Sequence, residues 1–246
     1  MPAVLVHGVP ETAEIWNPLR AELTRTDVAA VCLPGFGTPR PEGFGASKEE
    51  YVDWLIGEVE RAGEDGPVDL VGHDWGGGLV ARAVSLRPEL VRTWCSDAVG
   101  IATDTFSWHD LARIWQTPGE GEAFFEGQLA QSPEARAGGF ELFGVPHDHA
   151  VALAARVDQT MAACILSLYR SALDVGRQWA PAFRDIPAPG LAIVAPEDPF
   201  GSETVTAAAA GQAGARTVIL AGAGHWWMLQ HPAGAARVLE SFWARP

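Results

Sequence analysis

The 246-residue chain carries 31 Asp and Glu against 17 Lys and Arg, a formal charge of −14, and no basic cluster interrupts that field, which argues against nucleic acid as a partner. A hydrophobic content of 48% with 20% charged residues is ordinary for a globular domain. No apolar run approaches the roughly 20 residues of a membrane span, so no membrane partner is expected.

Met1-Pro2 leads straight into Ala3-Val4-Leu5-Val6, with no basic n-region and no small-residue cleavage site; the expectation is a cytoplasmic chain. Cys32, Cys95 and Cys164 each lie in an apolar segment, which suits buried reduced thiols better than a disulfide framework. Short apolar runs ending in Gly or Asp alternate with longer amphipathic stretches, the pattern of βα units around a mostly parallel sheet in an α/β fold. Six strands are predicted, at Ala3–His7, Ala29–Leu33, Val68–Gly72, Thr93–Ser96, Gly190–Ala195 and Arg216–Leu220, each apolar enough to be buried on both faces. Helices are predicted at Pro18–Thr24, Lys48–Arg61, Gly77–Leu86, Ser202–Ala213 and Ala233–Trp243, with Ser47 and Ser202 as N-caps. Between about Gly100 and Arg184 the alternation stops, and the text becomes helical, aromatic and broken by Pro118, Pro133 and Pro146. This reads as one core (1–99 and 186–246) interrupted by a helical cap (100–185), whose aromatics supply an apolar pocket for a small molecule.

Strand Val68–Gly72 runs into Gly72-His73-Asp74-Trp75-Gly76-Gly77 and then a helix, the strand–turn–helix context of a G-x-nucleophile-x-G elbow. Here the elbow residue is a carboxylate, Asp74. His7-Gly8 closes the first strand, so the Val9 N–H just beyond it faces the same site as the Trp75 N–H, and the two make a candidate oxyanion hole. Ala195-Pro196-Glu197-Asp198 follows the fifth strand, and Gly222-Ala223-Gly224-His225 follows the sixth. Nucleophile, acid and histidine thus run Asp74, Asp198, His225, each after a strand and in this architecture's usual order. Glu197 and Asp97 are the alternative acids. His73 is expected to face away from the site, since neighbours on a turn diverge. His147-Asp148-His149 reads as an ordinary polar loop rather than a metal site, and no metal is called.

With these residues in place the chain resembles the α/β-hydrolase superfamily, and within it the epoxide hydrolase and haloalkane dehalogenase branch. The Asp74-Trp75 elbow is similar to that of both groups. His7-Gly8-Val9-Pro10-Glu11 looks like the H-G-x-P motif of epoxide hydrolases, in which the proline is often cis. The resemblance implies attack by Asp74 at carbon to give an alkyl-enzyme ester, hydrolysed by a water that His225 activates and Asp198 orients, with no cofactor. It places His7, Pro10, Tyr169, Trp108 and Trp179 around the substrate. Epoxide hydrolysis to a diol is the expected reaction, dehalogenation of a haloalkane or haloacid the alternative, and ligand binding without catalysis a third. Two departures accompany it. Epoxide hydrolases use two cap tyrosines, yet only Tyr169 lies in the cap; and the antiparallel pair that usually opens the fold is missing here. Ala29–Leu33 is then expected to be an edge that is blunted, covered by the cap, or paired in a homodimer.

Overall fold

In the computed structural model, which describes residues 2–246, six strands form one wholly parallel sheet. They are β1 (Ala3–Val6), β2 (Val28–Val31), β3 (Val68–Gly72), β4 (Val91–Ser96), β5 (Gly190–Val194) and β6 (Arg216–Ile219), in spatial order β2-β1-β3-β4-β5-β6. From β1 the chain adds β2 on one side and β3 on the other. The carboxyl ends of β1 and β3 therefore flank a topological switch point, where open α/β sheets leave a crevice for ligands. Val9 lies just beyond one of those ends and Asp74 just beyond the other.

Period-two alternation divides the strands between two cores. Val4 and Val6 of β1 join one apolar cluster, while Ala3 and Leu5 join the other. On the first face pack α2 (Lys48–Ala62), through Tyr51, Leu55 and Val59, and α3 (Trp75–Leu86), through Leu79 and Val80. The second face receives α1 (Asn17–Glu22), through Leu19, and the C-terminal helix through Leu239 and Phe242. β1, β3 and β5 are buried along their whole length. β2 and β6 are not: they are the sheet edges, and Ile219 of β6 is 55% exposed. The two-sided burial expected of every strand fails at these two because an edge position depends on strand order, which composition does not reveal.

No strand interrupts the segment between Ser96 and Gly190. It folds into α4 (Asp110–Gln116), α5 (Glu120–Leu129), α6 (Pro133–Glu141), α7 (His147–Arg156), α8 (Gln159–Ser171) and α9 (Val175–Trp179). The most buried of these is α8, with Met161, Ile165, Leu168 and Tyr169 directed into the first core. Then follow α10 (Glu203–Ala213), the single turn α11 (Trp227–Gln230) and α12 (Pro232–Ala244). Ser47 and Ser202 cap their helices as expected, the first in a reciprocal capping box with Glu50. All three cysteines are free thiols; Cys95 and Cys164 are buried, and Cys32 only partly so. No single helix among the described residues is long and apolar enough to cross a membrane.

Candidate active site

The elbow follows from β3 stopping abruptly. Asp74 sits at φ 50°, ψ −122°, a left-handed conformation that costs a non-glycine residue of order 1–3 kcal/mol and that persists only where the surroundings dictate it. What dictates it is the tight crossing of α3 over the strand ends. A Cβ at Gly76 would lie on the carbonyl oxygens of Val6 and His7, so only glycine lets α3 start there. Across the crevice a Cβ at Gly8 would lie 2.5 Å from the Asp74 side chain, so the second glycine leaves room for the carboxylate.

Asp74 Oδ1 accepts the Val9 N–H at 2.8 Å, one half of the expected oxyanion hole, and the Val9–Pro10 peptide is cis, as the motif implies. Burial pushes the Asp74 carboxyl up to about 6, against the opposing pull of His225, His73 and the Trp75 amide. His225 is 6% exposed, and its Nδ1 lies 2.9 Å from Asp198 Oδ2. The other Asp198 oxygen accepts the Phe200 N–H at 2.8 Å, which fixes the carboxylate. Burial opposes charge on both groups, yet their hydrogen bond prevails: His225 is raised above its ordinary 6.5 and Asp198 is held below the usual carboxylate range. Among the three acids considered, Asp198 is therefore the one at His225. Glu197 is exposed, and Asp97 serves a different histidine.

That histidine, His73, faces away from the cavities onto which Asp74 opens, as expected, and lies fully buried beneath the site, with its ring centroid 4.6 Å from that of His225. His73 Nδ1 donates to Asp97 Oδ2 at 2.5 Å and Nε2 to Glu11 Oε1 at 3.2 Å. Burial disfavours its charge, but the two carboxylates overcome this and raise it well above its ordinary value, so His73 is an imidazolium. Asp97 also accepts the Trp227 indole N–H at 2.6 Å and, on Oδ1, the Asp74 backbone N–H at 2.9 Å. Glu11 accepts the Gly8 N–H at 3.0 Å and the Trp226 indole N–H. Glu11, His73 and His225 bring donor atoms within 4.8 Å of one another, a spacing a metal would accept. The atoms of Glu11 and His73 are already engaged in these bonds, and an ion would have to displace them.

Asp74 and His225 open onto two adjoining cavities of about 220 and 230 Å³, both of which His109 and Phe200 also line. Each is smaller than the roughly 300–1,000 Å³ of drug-sized sites, so the ligand is small. The first is walled by Pro10, Tyr169, Trp115, Phe124, Phe125, Phe140, Phe143 and Trp226, so the aromatic insertion does form an apolar pocket. Pro10 and Tyr169 thus stand where expected. Trp108 borders the second cavity, but its indole N–H donates to Ala172 O at 3.0 Å and is not free for a ligand. Two further expectations fail. Trp179 packs under α3 beside Gly78 and Arg82, lining neither cavity. His7 is buried beneath the loop after β2, where Nε2 accepts the Leu33 N–H at 3.1 Å and Nδ1 therefore donates to Gly8 O at 2.8 Å. Burial lowers it to about 4, so it is a neutral strut for the loop that carries Val9.

His109 is the residue that sequence reasoning passed over. It caps α4, its Nδ1 accepting the Ala112 N–H at 3.2 Å, so the neutral ring carries its proton on Nε2. Burial and the neighbouring His225 charge lower its pKa and keep it neutral. The signal was local: an otherwise unexplained histidine immediately before Asp110-Leu111-Ala112-Arg113, at the N-cap of the first helical pattern in the insertion.

A sequence model described as "Alpha/beta hydrolase family" matches residues 3–238. Among curated proteins, the chain is 37% identical over 93 residues to an (E)-2-((N-methylformamido)methylene)succinate hydrolase of Acinetobacter baylyi, covering 37% of this chain and 35% of that protein. It is also 39% identical over 92 residues to a pimeloyl-[acyl-carrier protein] methyl ester esterase of Citrobacter koseri, covering 36% and 33%. The matches thus span about a third of those relatives' length. Similar solved structures include an epoxide hydrolase from Vigna radiata, with a TM-score of 0.79 at 18% identity over 100% of this chain and 92% of that one. A haloalkane dehalogenase from Bradyrhizobium elkani USDA94 gives 0.78 at 21% identity over 99% and 89%. Identities at this level speak for the fold. The family match runs from the first strand into the last helix, and the chain belongs to the alpha/beta hydrolase family.

Proposed function

We propose that this hydrolase opens an electrophilic carbon of a small apolar substrate, in the first place an epoxide, through a covalent ester on Asp74. The observation that carries the reading is the carboxylate on the elbow, with one oxygen already bound to a backbone N–H. Because Oδ1 is held by Val9, Oδ2 is the free nucleophile. Its attack forms a carbon–oxygen bond and breaks the ring C–O bond, and the departing alkoxide takes a proton from a cavity donor. Tyr169 is one such donor, since burial and the Asp74 charge raise its phenol well above the ordinary value and keep it protonated. His109, neutral with its proton on Nε2, lines the same cavity and supplies a second hydrogen bond to that oxygen without giving up its proton. In the next step a water adds to the ester carbonyl while His225 takes its proton, the charge collects on Oδ1 beside the Val9 and Trp75 amides, and collapse expels the diol, whose leaving oxygen takes the proton back from His225; the proton left on the Asp74 carboxyl returns to the Tyr169 phenolate, which restores both groups.

A second reading, release of halide from a haloalkane, is favoured by one observation. The indole N–H groups of Trp75 and Trp115 are buried without partners; Trp75 borders the second cavity and Trp115 the first. An indole donates a hydrogen bond without giving up its proton, which suits a halide better than an alkoxide.

Intact-mass spectrometry of His225→Gln, incubated with styrene oxide or a bromoalkane, separates these. An epoxide adds its whole mass to Asp74, whereas a haloalkane adds only the alkyl group. No adduct with any member of a broad epoxide and haloalkane panel, or turnover that survives Asp74→Ala, would sink the covalent reading.

A further inference from the structure

One cation faces the apolar cavity without a carboxylate. Arg136, on α6, lines the cavity shared with Asp74 and His225, and among the described residues it forms no ion pair. In a chain with 31 acidic groups against 17 basic ones, an arginine left without an acid at a pocket wall calls for a reason. Its side chain is held in place all the same: Nη1 donates to Val157 O, at the end of α7, at 3.1 Å. That bond uses the outer amino group and leaves the Nε–Nη2 edge. Nε is buried with no partner, and Nη2 makes no hydrogen bond to the protein. The Nε–Nη2 edge is the side of a guanidinium that presents two parallel N–H groups, the fork that matches the two oxygens of a carboxylate.

The route from this edge to the reacting centre is aromatic. Phe140 lies one helical turn after Arg136 on the same face of α6, its ring 5.5 Å from that of Trp226, whose ring is in turn 4.7 Å from His225. Gln128 of α5 lines the same wall.

We propose that the cavity selects substrates that carry a carboxylate, joined by an apolar spacer to the electrophilic carbon, with the carboxylate on the Nε–Nη2 edge of Arg136 and the spacer along Phe140 and Trp226. This rests on the reading of the cavity as the substrate site and adds the chemical class of what enters it. Arg136 is a specificity residue and takes no part in bond making. Nε is the part of the half-buried guanidinium left without a partner, and a ligand carboxylate on that edge satisfies it where a neutral analogue does not, so the site discriminates against the neutral analogue.

The test uses ligands that cannot react, so it does not depend on turnover. Binding of 4-phenylbutanoate and of 4-phenylbutan-1-ol is measured by titration calorimetry at neutral pH with wild-type protein, Arg136→Gln and Arg136→Lys. Wild-type protein is expected to bind the carboxylate at least about tenfold more tightly than the alcohol, the increment of one charge-assisted pair. Arg136→Gln is expected to lose that ratio while keeping its affinity for the alcohol, and Arg136→Lys, a point charge without the fork, to keep only part of it. Equal affinity for the two ligands in wild-type protein overturns the proposal, as does an unchanged ratio in Arg136→Gln. Should Arg136→Gln fail to fold, the wild-type ratio together with its change in Arg136→Lys decides. A carboxylate preference with no covalent adduct in His225→Gln would remove the proposed reaction and leave this inference standing; an adduct without the preference does the reverse.

Discussion

In the proposed reaction Asp74 meets opposed demands: it must be buried to face an apolar substrate, yet ionised to attack it. Burial lifts its pKa to about 6, so the nucleophilic carboxylate is present above that pH and is lost as pH falls through it. His225 works in the other direction of charge. Its pKa is raised, so the neutral form that can take a proton from water accumulates only above the ordinary 6.5. Adduct formation in wild-type protein, read in single turnovers, is therefore expected to titrate near pH 6, and full turnover at a higher value; single-turnover and steady-state pH profiles check this, and coincident profiles would contradict it. The leaving-group donors give a second expectation. Tyr169→Phe is expected to slow epoxide opening by about 10²-fold, the low end of general-acid contributions, and His109→Phe by about tenfold, the loss of one hydrogen bond, as read from the rate of adduct formation. Of these residues, Asp74, His225, Asp198, Val9 and Tyr169 were legible because each is tied to a strand end or to a motif of the resemblance. His109, Phe200 and Arg136 were not, since no motif marks them: the packing of the insertion on the core brings His109 and Arg136 to the cavity, and the loop after β5 brings Phe200.

At the scale of elements, the sequence located six strands to within about two residues because each apolar run ends at a glycine, proline or polar residue that must leave the sheet. That Ala29–Leu33 is an edge followed from the resemblance, and β2 is one; that β6 is the other was not legible, because order follows from tertiary crossovers. The direction of His73 was legible, since neighbours on the turn diverge, but its partners were not: it drops beneath the site toward Asp97 and Glu11, which only the folded loops bring there. Helix caps were legible outright. Ser47 Oγ accepts the Glu50 N–H at 3.3 Å, and the Glu50 side chain accepts the Ser47 and Gly45 N–H groups at 3.0 and 2.6 Å. Ser47→Ala removes one side of this box and is expected to cost ~1 kcal/mol. Urea unfolding would show it as a lower midpoint at unchanged slope. Activity is expected to hold, because α2 packs on the sheet away from the cavity residues.

Across the whole molecule, four loops at the carboxyl edge of the sheet converge on one imidazolium. Glu11 comes from the loop after β1, His73 from the one after β3, Asp97 from the one after β4, and Trp226 and Trp227 from the chain after β6. Far from one another in sequence, they meet around His73, which supplies the positive charge between the two carboxylates. His73→Gln would leave Glu11 and Asp97 facing each other without it, and removing one member of a buried charged set costs about 3–5 kcal/mol. The sign with pH follows from each group. The His73 pKa is raised, so its contribution is present below the unfolded value of 6.5 and persists until pH rises through a folded value well above that. Glu11 is lowered despite its burial, chiefly by the His73 charge, so its contribution is present above 4.5 and fades as pH falls toward about 2. At neutral pH both contributions are in force, and the variant should show its full loss there by urea unfolding. On mild acidification the orphaned Glu11 of the variant, no longer held down by a cation, takes up a proton, and the difference from wild type should shrink. A His73→Gln variant that loses less than ~1 kcal/mol at neutral pH, or whose deficit grows on mild acidification, would show that the four loops are held by their apolar packing and not by this charge.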